Sequence, residues 1–513
     1  MSATTTNDAR GNAAANGAGE RRIQVDNPAT GQPIGDVVDL SPEEVRKLVD
    51  RARAAQPGWE AVGVRERARH MRNLRAWMVK NRRRLAQTMM EEAGKTYDDA
   101  LFEAFAMAYI MGFWARHSGG YLRDERHWAR SPALLGRRII SRYEPLGVVG
   151  VIAPWNYPLV LGLGDAIPAL MAGNAVVLKP SSITPLSSVM MVEEGMKAVG
   201  WPQDVCLVAT GSGGTGSAVV DTADMIMFTG STATGQSIAE RAGKRLIPIS
   251  LELGGKDPML VLRDADLDAA ADQAVGLGMF NNGQTCMSVE RIYVEEPAYD
   301  EFVDKVVDRV KNLRHGVPGG PASIDVAALT GPGQVDIVER HVKDAVAKGA
   351  KVLAGGNRGP GENYFQPTVL VDVDNSMDCM TEETFGPTLP IVKVADVEEG
   401  LALANDTEYG LNASVFTRDT RKGEAVARRL QSGGSCVNAV AMNYIEMRVP
   451  FGGWKLSGVG GRHGAGGIRK YCKQQAVLVT PAAIKWDLAS FPRRKGTLAL
   501  MDRAMALFFG RGG

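Results

Sequence analysis

Apolar and polar positions along the chain follow two regimes. Over residues 41–116 apolar side chains recur at helical spacing, and Ser41 with Pro42, Glu43 and Glu44 reads as an N-cap followed by proline and acids in a first turn. Further helices are expected over 65–93 and 97–117. From Val148 the pattern changes to short β-branched runs. These are Val148-Val-Gly-Val-Ile-Ala153, Ala175-Val-Val-Leu178, Val205-Cys-Leu-Val208 and Met225-Ile-Met-Phe228, with helix-like segments between them. Strands alternating with helices imply a mostly parallel sheet covered on both faces. That is a doubly wound α/β domain, which binds ligands beyond the carboxyl ends of its strands. After Gly255 a second α/β unit runs to about residue 446, with strands expected at 291–294, 390–394 and 413–416.

Bulk properties narrow the function classes. A chain of 513 residues exceeds what one core organises, so two or more packed domains are expected. Its 59 basic and 58 acidic residues leave no concentrated basic surface for nucleic acid. Cys206, Cys286, Cys379, Cys436 and Cys472 are scattered, odd in number and form no C-x-x-C pair. A disulfide framework and a structural metal are therefore not expected, and a reducing cytoplasm is the natural setting. Residues 1–20 lack an apolar core and read as a disordered tail rather than a signal peptide. No apolar run approaches the about 18 residues needed to span a bilayer.

Two glycine loops compete for a phosphate. Gly211-Ser-Gly-Gly-Thr-Gly216 follows a strand and fits G-x-G-x-x-G, but no acidic residue closes a strand about twenty positions on. Phe228-Thr-Gly-Ser-Thr-Ala-Thr-Gly235 turns directly into a helix whose first N–H groups could face a phosphate. A simple turn with capping hydroxyls explains that loop equally well.

Three further segments supply complementary chemistry. Asn281-Asn-Gly-Gln-Thr-Cys-Met287 places Cys286 among small and polar residues after an apolar helix. Leu251-Glu-Leu-Gly-Gly-Lys256 puts Glu252 in an apolar setting that should raise its pKa. Pro154-Trp-Asn-Tyr-Pro158 presents the Asn156 amide on a proline-fixed loop. A nucleophile, a base and an oxyanion donor are the parts of acyl transfer through a thioester. Alone, Glu252 could cap a helix and Asn156 could be a turn residue.

With Lys179-Pro-Ser, Glu382-Glu-Thr-Phe-Gly-Pro387, Asn405-x-x-x-Tyr-Gly-Leu411 and Pro450-Phe-Gly-Gly-x-Lys-x-Ser-Gly458, the ordered set closely resembles the aldehyde dehydrogenase superfamily, hydrolytic type, over about residues 25–479. The resemblance implies a Rossmann-like cofactor domain (21–133 and 148–253) and an α/β catalytic domain (254–446). It adds a small β oligomerisation flap (134–147 and 470–483), and an amphipathic tail remains at 484–513. By the same resemblance Cys286 attacks the aldehyde carbon, with help needed to ionise it. Asn156 and the Cys286 N–H hold the oxyanion, and Glu252 activates the water that hydrolyses the thioester. NAD or NADP is implied as cofactor. Lys179 would meet the adenosine ribose, Ser231 the pyrophosphate, Glu383 the nicotinamide ribose and Phe385 the nicotinamide end, with Trp155, Gly230 and Gly235 also at the cofactor.

The chain departs from its relatives in two places. Glutamate often stands three residues after the lysine in NAD+-preferring members, and here Ser182 removes that repulsion of a 2′-phosphate, so NADP+ should be tolerated or preferred. Arginines that clamp succinate semialdehyde in its well-known dehydrogenases are replaced by Gly164 and Phe280. With Leu159, Leu161, Leu163 and Phe451 near the tunnel by resemblance, an apolar aliphatic or aromatic aldehyde is the expected substrate. Arg448 or Arg462 would have to supply the clamp for the alternative, an NADP+-dependent succinate-semialdehyde dehydrogenase. A CoA-acylating enzyme conflicts with Glu252, and an idle structural relative conflicts with retention of all three reactive groups. The tail helix could meet a membrane surface through Arg493, Arg494 and Lys495, although docking on protein is the preferred expectation. Strand-like runs at 137–143 and 476–479 call for cover by another copy, giving a homodimer or homotetramer.

Overall fold

Ser41 caps the helix Pro42–Ala61. Its Oγ accepts the Glu44 N–H at 3.3 Å, and Glu44 Oε2 accepts the Ser41 N–H at 2.8 Å, a reciprocal pair that satisfies two otherwise orphaned donors. The computed structural model describes residues 13–15, 21–128, 134, 136–482, 491–492 and 495–510. The helical stretch expected over 65–93 is two helices, Gly63–Lys80 and Arg82–Ala93, meeting at Asn81, whose amide donates to the Trp77 carbonyl at 2.9 Å. Tyr97–Tyr121 follows as one long helix.

The chain divides into two compact units, residues 1–121 with 145–472 and residues 122–144 with 473–513. In the first, a six-stranded sheet runs Gly458–Val459, Ile249–Glu252, Met225–Thr229, Val148–Ile152, Ala175–Lys179, Cys206–Val208. All neighbours are parallel except the edge strand Gly458–Val459. Its middle strands are buried throughout, as a sheet covered on both faces requires. A second, seven-stranded sheet runs Lys351–Ala354, Thr368–Val371, Thr388–Val394, Arg291–Glu295, Pro258–Val261, Ser414–Phe416, Cys436–Val437. It is parallel apart from the edge strand Lys351–Ala354.

The structure corrects several expected boundaries. The cofactor and catalytic segments expected at 21–133, 148–253 and 254–446 lie within one compact unit, apart from residues 122–133. A three-stranded antiparallel sheet, Ala13–Ala15, Arg21–Asp26 and Pro33–Val38, precedes them. Residues 13–15 of the tail expected to be disordered therefore pair with a strand, and the rest of residues 1–20 lie outside the described residues. The smaller unit begins at residue 122 rather than 134, because Glu125–His127 joins its sheet beside Arg138–Pro145 and Cys472–Val479. Glu-Arg-His has no apolar alternation, so only its backbone pairing reveals the strand. That unit also holds the helix Lys495–Phe509, on which Leu498, Leu500, Met505 and Leu507 are exposed. Arg493 and Arg494 lie outside the described residues. No helix among the described residues is long and apolar enough to cross a membrane.

Candidate active site

Parallel pairing brings the expected residues together at one edge of the six-stranded sheet. Lys179 ends its strand opposite Ile152, which leads into the loop bearing Trp155 and Asn156. Glu252 ends the strand Ile249–Glu252 opposite Thr229, whose own strand adjoins Val148–Ile152 and leads into Gly230 and Ser231. These are carboxyl ends of strands, where an α/β sheet binds its ligands. The candidate nucleophile arrives from the other sheet. Cys286 precedes the strand Arg291–Glu295, and Glu383 and Phe385 precede the adjacent strand Thr388–Val394.

The Cys286 loop is backbone-strained and held by side-chain hydrogen bonds. Asn281, Asn282 and Gly283 have φ of 52°, 61° and 76°, a left-handed run that reverses the chain after the helix Leu267–Met279. A Cβ on residue 283 would lie 2.2 Å from the Gly386 carbonyl oxygen, so glycine is required there. The Asn282 amide spans the Ala327 N–H and the Ala328 carbonyl at 2.7 Å each. Gln284 accepts the Thr330 N–H at 2.9 Å and donates to the Asn281 carbonyl at 3.2 Å. The small and polar residues around Cys286 are thus the brackets of its loop.

Two buried ion pairs, neither singled out from the sequence, hold the flanking segments. Lys95 Nζ donates to Glu103 at 2.9 Å and to the Asn156 carbonyl at 2.7 Å, while Glu103 accepts the Leu159 and Val160 N–H groups at 2.9 and 3.0 Å. Lys256 pairs with Glu290 at 2.5 Å, and Glu290 accepts the N–H groups of Thr384 and Phe385 at 3.0 and 2.9 Å. Each carboxylate fixes a loop backbone that carries site residues. The signal available in the sequence was weak: Glu103 stands alone in the apolar run 100–110, but Lys95 lies among charged residues and nothing local marks it as buried.

Asn156 Nδ2 donates to the Gln284 carbonyl at 2.9 Å, leaving its second hydrogen for another acceptor. Cys286 is half-buried, and desolvation pushes its thiol up to about 12 against the opposing pull of Arg462. The expected help in ionising the thiol is therefore outweighed in the structure, because burial penalises the thiolate more than one cation favours it. Both Glu252 carboxylate oxygens are buried without a hydrogen bond among the described residues, and burial raises the pKa of this group. Arg462 Nη1 lies 3.5 Å from Glu252 Oε2, while Nε and Nη2 bond Asp165 at 2.8 and 2.7 Å.

A cavity beside this cluster is walled by Val160, Gly164, Pro168, Tyr444, Met447 and Arg462, among others. Leu159 and Leu163 are fully buried and Phe451 nearly so, packed against Tyr444 at 5.0 Å, and none of the three is in that wall. Phe280 is half-buried edge-on against Phe102, with ring centroids 5.3 Å apart. Of the two candidate clamps, Arg462 is taken by Asp165, and exposed Arg448 is taken by Glu446 at 2.8 Å.

The cofactor candidates form a second group. Trp155 and Phe385 meet edge to face at 5.4 Å. Glu383 accepts the Gly255 N–H at 3.0 Å, and burial with nearby Glu290 raises it to about 7. Ser231 caps the helix Thr232–Arg245 and is exposed, so the capping explanation of this loop and an anion-facing helix start coexist. Gly235 lets that helix approach Leu253, where a Cβ would meet Cδ2 at 2.5 Å. Lys179 Nζ donates to the Pro180 carbonyl at 3.0 Å, and Ser182 is half-buried beside it in sequence. In the Gly211–Gly216 loop the Ser212 N–H is taken by Asp39 at 2.9 Å, so this loop anchors the N-terminal strands. His341, Asp378 and Glu382 come within coordinating distance of one another, but Arg340 bonds both acids at 2.7 Å.

Comparison with known proteins agrees with this arrangement. The sequence model of the aldehyde dehydrogenase family matches residues 15–477. A Mycobacterium ulcerans protein provisionally named a succinate-semialdehyde dehydrogenase, NADP(+), is 44% identical over 457 residues, 88% of each chain. An NADP dependent enzyme of E. coli superposes with a TM-score of 0.85 at 35% identity, covering 89% of this chain and 94% of that one. A Mycobacterium tuberculosis aldehyde dehydrogenase complexed with NAD+ gives 0.85 at 33% identity, over 90% and 96%. The chain belongs to the aldehyde dehydrogenase family, enzymes that oxidise an aldehyde to its carboxylic acid with NAD(P)+.

Proposed function

We propose that this enzyme oxidises apolar aliphatic or aromatic aldehydes, with Cys286 as nucleophile, Asn156 as oxyanion donor and Glu252 as the base for hydrolysis. The observation that carries the catalytic roles is the convergence of the Cys286 loop, the Asn156 amide and the unbonded Glu252 carboxylate from two sheets. In this reading the Cys286 sulfur bonds the aldehyde carbon as its proton leaves for a base. The oxyanion takes the free Asn156 hydrogen and the Cys286 N–H. When bound, the dinucleotide supplies the hydride acceptor that converts the adduct to a thioester. Glu252 then takes a proton from water as the water oxygen bonds the acyl carbon and the C–S bond breaks, releasing the acid and restoring the thiol.

The residues suit a dinucleotide. Exposed Ser231 heads a helix of 14 residues whose first N–H groups favour a pyrophosphate. Lys179 ends a strand two places along the sheet from the one that leads into Ser231 and offers an amine for a ribose, Glu383 offers a carboxylate for the second ribose, and the Trp155–Phe385 edge faces the reactive end. Ser182 lacks a charge that would repel a 2′-phosphate, so we take NADP+ to be accepted, in line with the names of the mycobacterial and E. coli relatives.

The substrate reading rests on charge. Among the described residues, the cations in the cavity wall are Arg462 and Lys470, and Arg462 is already spent on Asp165. A free carboxylate there would face Asp165 as well as Lys470, whose amine already donates to Ser250 Oγ at 3.0 Å, and a buried charge costs several kcal/mol unless it is well paired. The relatives' names favour a second reading, a semialdehyde carrying a distal carboxylate, with Lys470 as its partner. Steady-state kinetics with NADP+ over hexanal, benzaldehyde and succinate semialdehyde separate the two. Acid should form without CoA, with kcat/KM highest for the apolar aldehydes. A manyfold preference for succinate semialdehyde would overturn the substrate assignment, and a strict CoA requirement would overturn hydrolysis.

The exposed apolar helix Lys495–Phe509 and the three-stranded sheet of the smaller unit support assembly into a dimer or tetramer, with the helix covered by a neighbouring copy rather than lipid. A chain ending at Pro492 should change its mass in solution. Loss of vesicle binding with an unchanged mass would favour the membrane instead. The five free cysteines support a reducing, cytoplasmic setting.

A further inference from the structure

We infer that Asp165 is a positioning residue for the hydrolytic step: it occupies two nitrogens of the Arg462 guanidinium so that the third faces Glu252 without bonding it. The inference rests on the reading of Glu252 as the water-activating base.

The geometry is specific. Arg462 Nε and Nη2 bond the two Asp165 oxygens at 2.8 and 2.7 Å, a fork that fixes the guanidinium plane. Nη2 also donates to Thr229 Oγ1 at 2.5 Å. Thr229 is the register partner of Glu252 on the neighbouring strand, so this bond anchors the guanidinium one strand away from the base. The remaining nitrogen, Nη1, then lies 3.5 Å from Glu252 Oε2, beyond a normal hydrogen bond. All four side chains are buried.

This arrangement resolves a conflict. A buried carboxylate without a cation nearby would stay protonated and take no proton from water. A carboxylate in a bidentate bond to arginine would be ionised but too weak a base and immobile. Asp165 and Thr229 place Arg462 between these extremes. Lys470, Tyr444, Tyr471 and Cys286 also face Glu252, and burial brings Lys470 down to about 8, so its charge varies within the working pH range. The arginine is the cation whose charge is constant.

The prediction is a pair of opposite shifts in the acid limb of the kcat–pH profile, measured with hexanal and NADP+. Arg462→Gln removes the cation, so the limb should move to higher pH. Asp165→Asn releases Arg462 toward Glu252, so the limb should move to lower pH by about one unit while kcat at pH 8 falls about tenfold or more. Thr229→Val loosens the same anchor with less disturbance, and should move the limb in the direction of Asp165→Asn by a smaller amount. It decides the matter if Asp165→Asn does not fold. Stopped-flow formation of NADPH in the first turnover should persist in Asp165→Asn and Thr229→Val, since their defect lies in hydrolysis; Arg462→Gln, which also loses the pull on Cys286, is read on the acid limb alone. Shifts in one direction for Arg462→Gln and Thr229→Val, or no shift in either, would overturn the inference. Glu252→Gln separates this from the reading beneath it. It should keep the first-turnover burst and lose steady turnover, and undiminished steady turnover would remove Glu252 as the base altogether.

Discussion

The side-chain amide of Asn156 donates to the backbone carbonyl of Gln284 at 2.9 Å, joining the loop after one sheet's strand to the loop that carries Cys286 from the other. One amide hydrogen thereby sets the distance between the two loops while the other remains for the oxyanion. Asn156→Ala should reduce kcat by about 10²–10³-fold, the usual effect of losing one such donor. KM should change far less. Asn156→Asp, which keeps the shape and loses the donor, should be equally impaired, and an active Asp variant would refute the role.

The Lys95–Glu103 pair holds the Asn156 loop from below. Removing one partner leaves a buried charge alone, so Lys95→Met should cost about 3–5 kcal/mol of stability. Replacing both, as Lys95→Met with Glu103→Leu, should recover only part of the stability, because the buried charge is gone but the backbone groups it served stay unpaired. Turnover should not recover, because the Leu159 and Val160 N–H groups and the Asn156 carbonyl lose their partners. Thermal unfolding and kcat measured on the same preparations test this split.

pH acts through Cys286 and Glu252 in the same direction. The Cys286 thiol, pushed up to about 12 by burial, stays protonated over the working range of the cofactor-free enzyme. Its alkylation by iodoacetamide should therefore keep rising up to pH 10 without levelling off. Burial raises Glu252, and a base works only when ionised, so kcat should climb with pH along a limb lying above the ordinary carboxylate range. Glu252→Gln should abolish that limb. A flat profile from pH 5 to 8 in the parent enzyme would contradict the assignment.

Cofactor choice is open to a single substitution. Ser182→Glu should shift the ratio of kcat/KM values toward NAD+ by about tenfold or more, through repulsion of the 2′-phosphate in a partly dry site. An unchanged ratio would place the selection elsewhere.

The left-handed run before Cys286 makes a backbone prediction. Gly283→Ala faces both a φ of 76° and a carbonyl 2.2 Å from the new methyl. It should lower Tm and abolish turnover together. Gly276→Ala, at an open position in the preceding helix, should do neither.

Periodicity identified four of the six strands of the first sheet, three of the seven of the second and the helices around them, because a short apolar, β-branched run marks each such segment separately. It missed Glu125–His127, a strand made by pairing alone, and the strands Arg21–Asp26 and Pro33–Val38. The same contrast holds for the site. Cys286, Glu252 and Asn156 stand out in sequence because their chemistry requires those residue types in distinctive surroundings. Lys95, Glu103, Lys256, Glu290 and Asp165 are ordinary charged residues until the fold buries them. Leu159 and Leu163 look like tunnel residues by position, yet both are fully buried outside the cavity wall, to which Val160 and Gly164 contribute instead.

The sequence by itself determined the alternating α/β order, the choice of Cys286, Glu252 and Asn156 as candidates, and the absence of a glutamate at position 182, since each depends on residue identity within a short span. Tertiary structure decided how the three candidates are assembled. The strand-end rule accounts for Asn156, Lys179, Ser231 and Glu252, but Cys286 enters from the opposite end of a different sheet, and no local pattern encodes which ends two sheets turn toward each other. It also decided that Arg462 serves Asp165 rather than a substrate. Charges 297 residues apart in sequence interact strongly only after folding has removed the water between them.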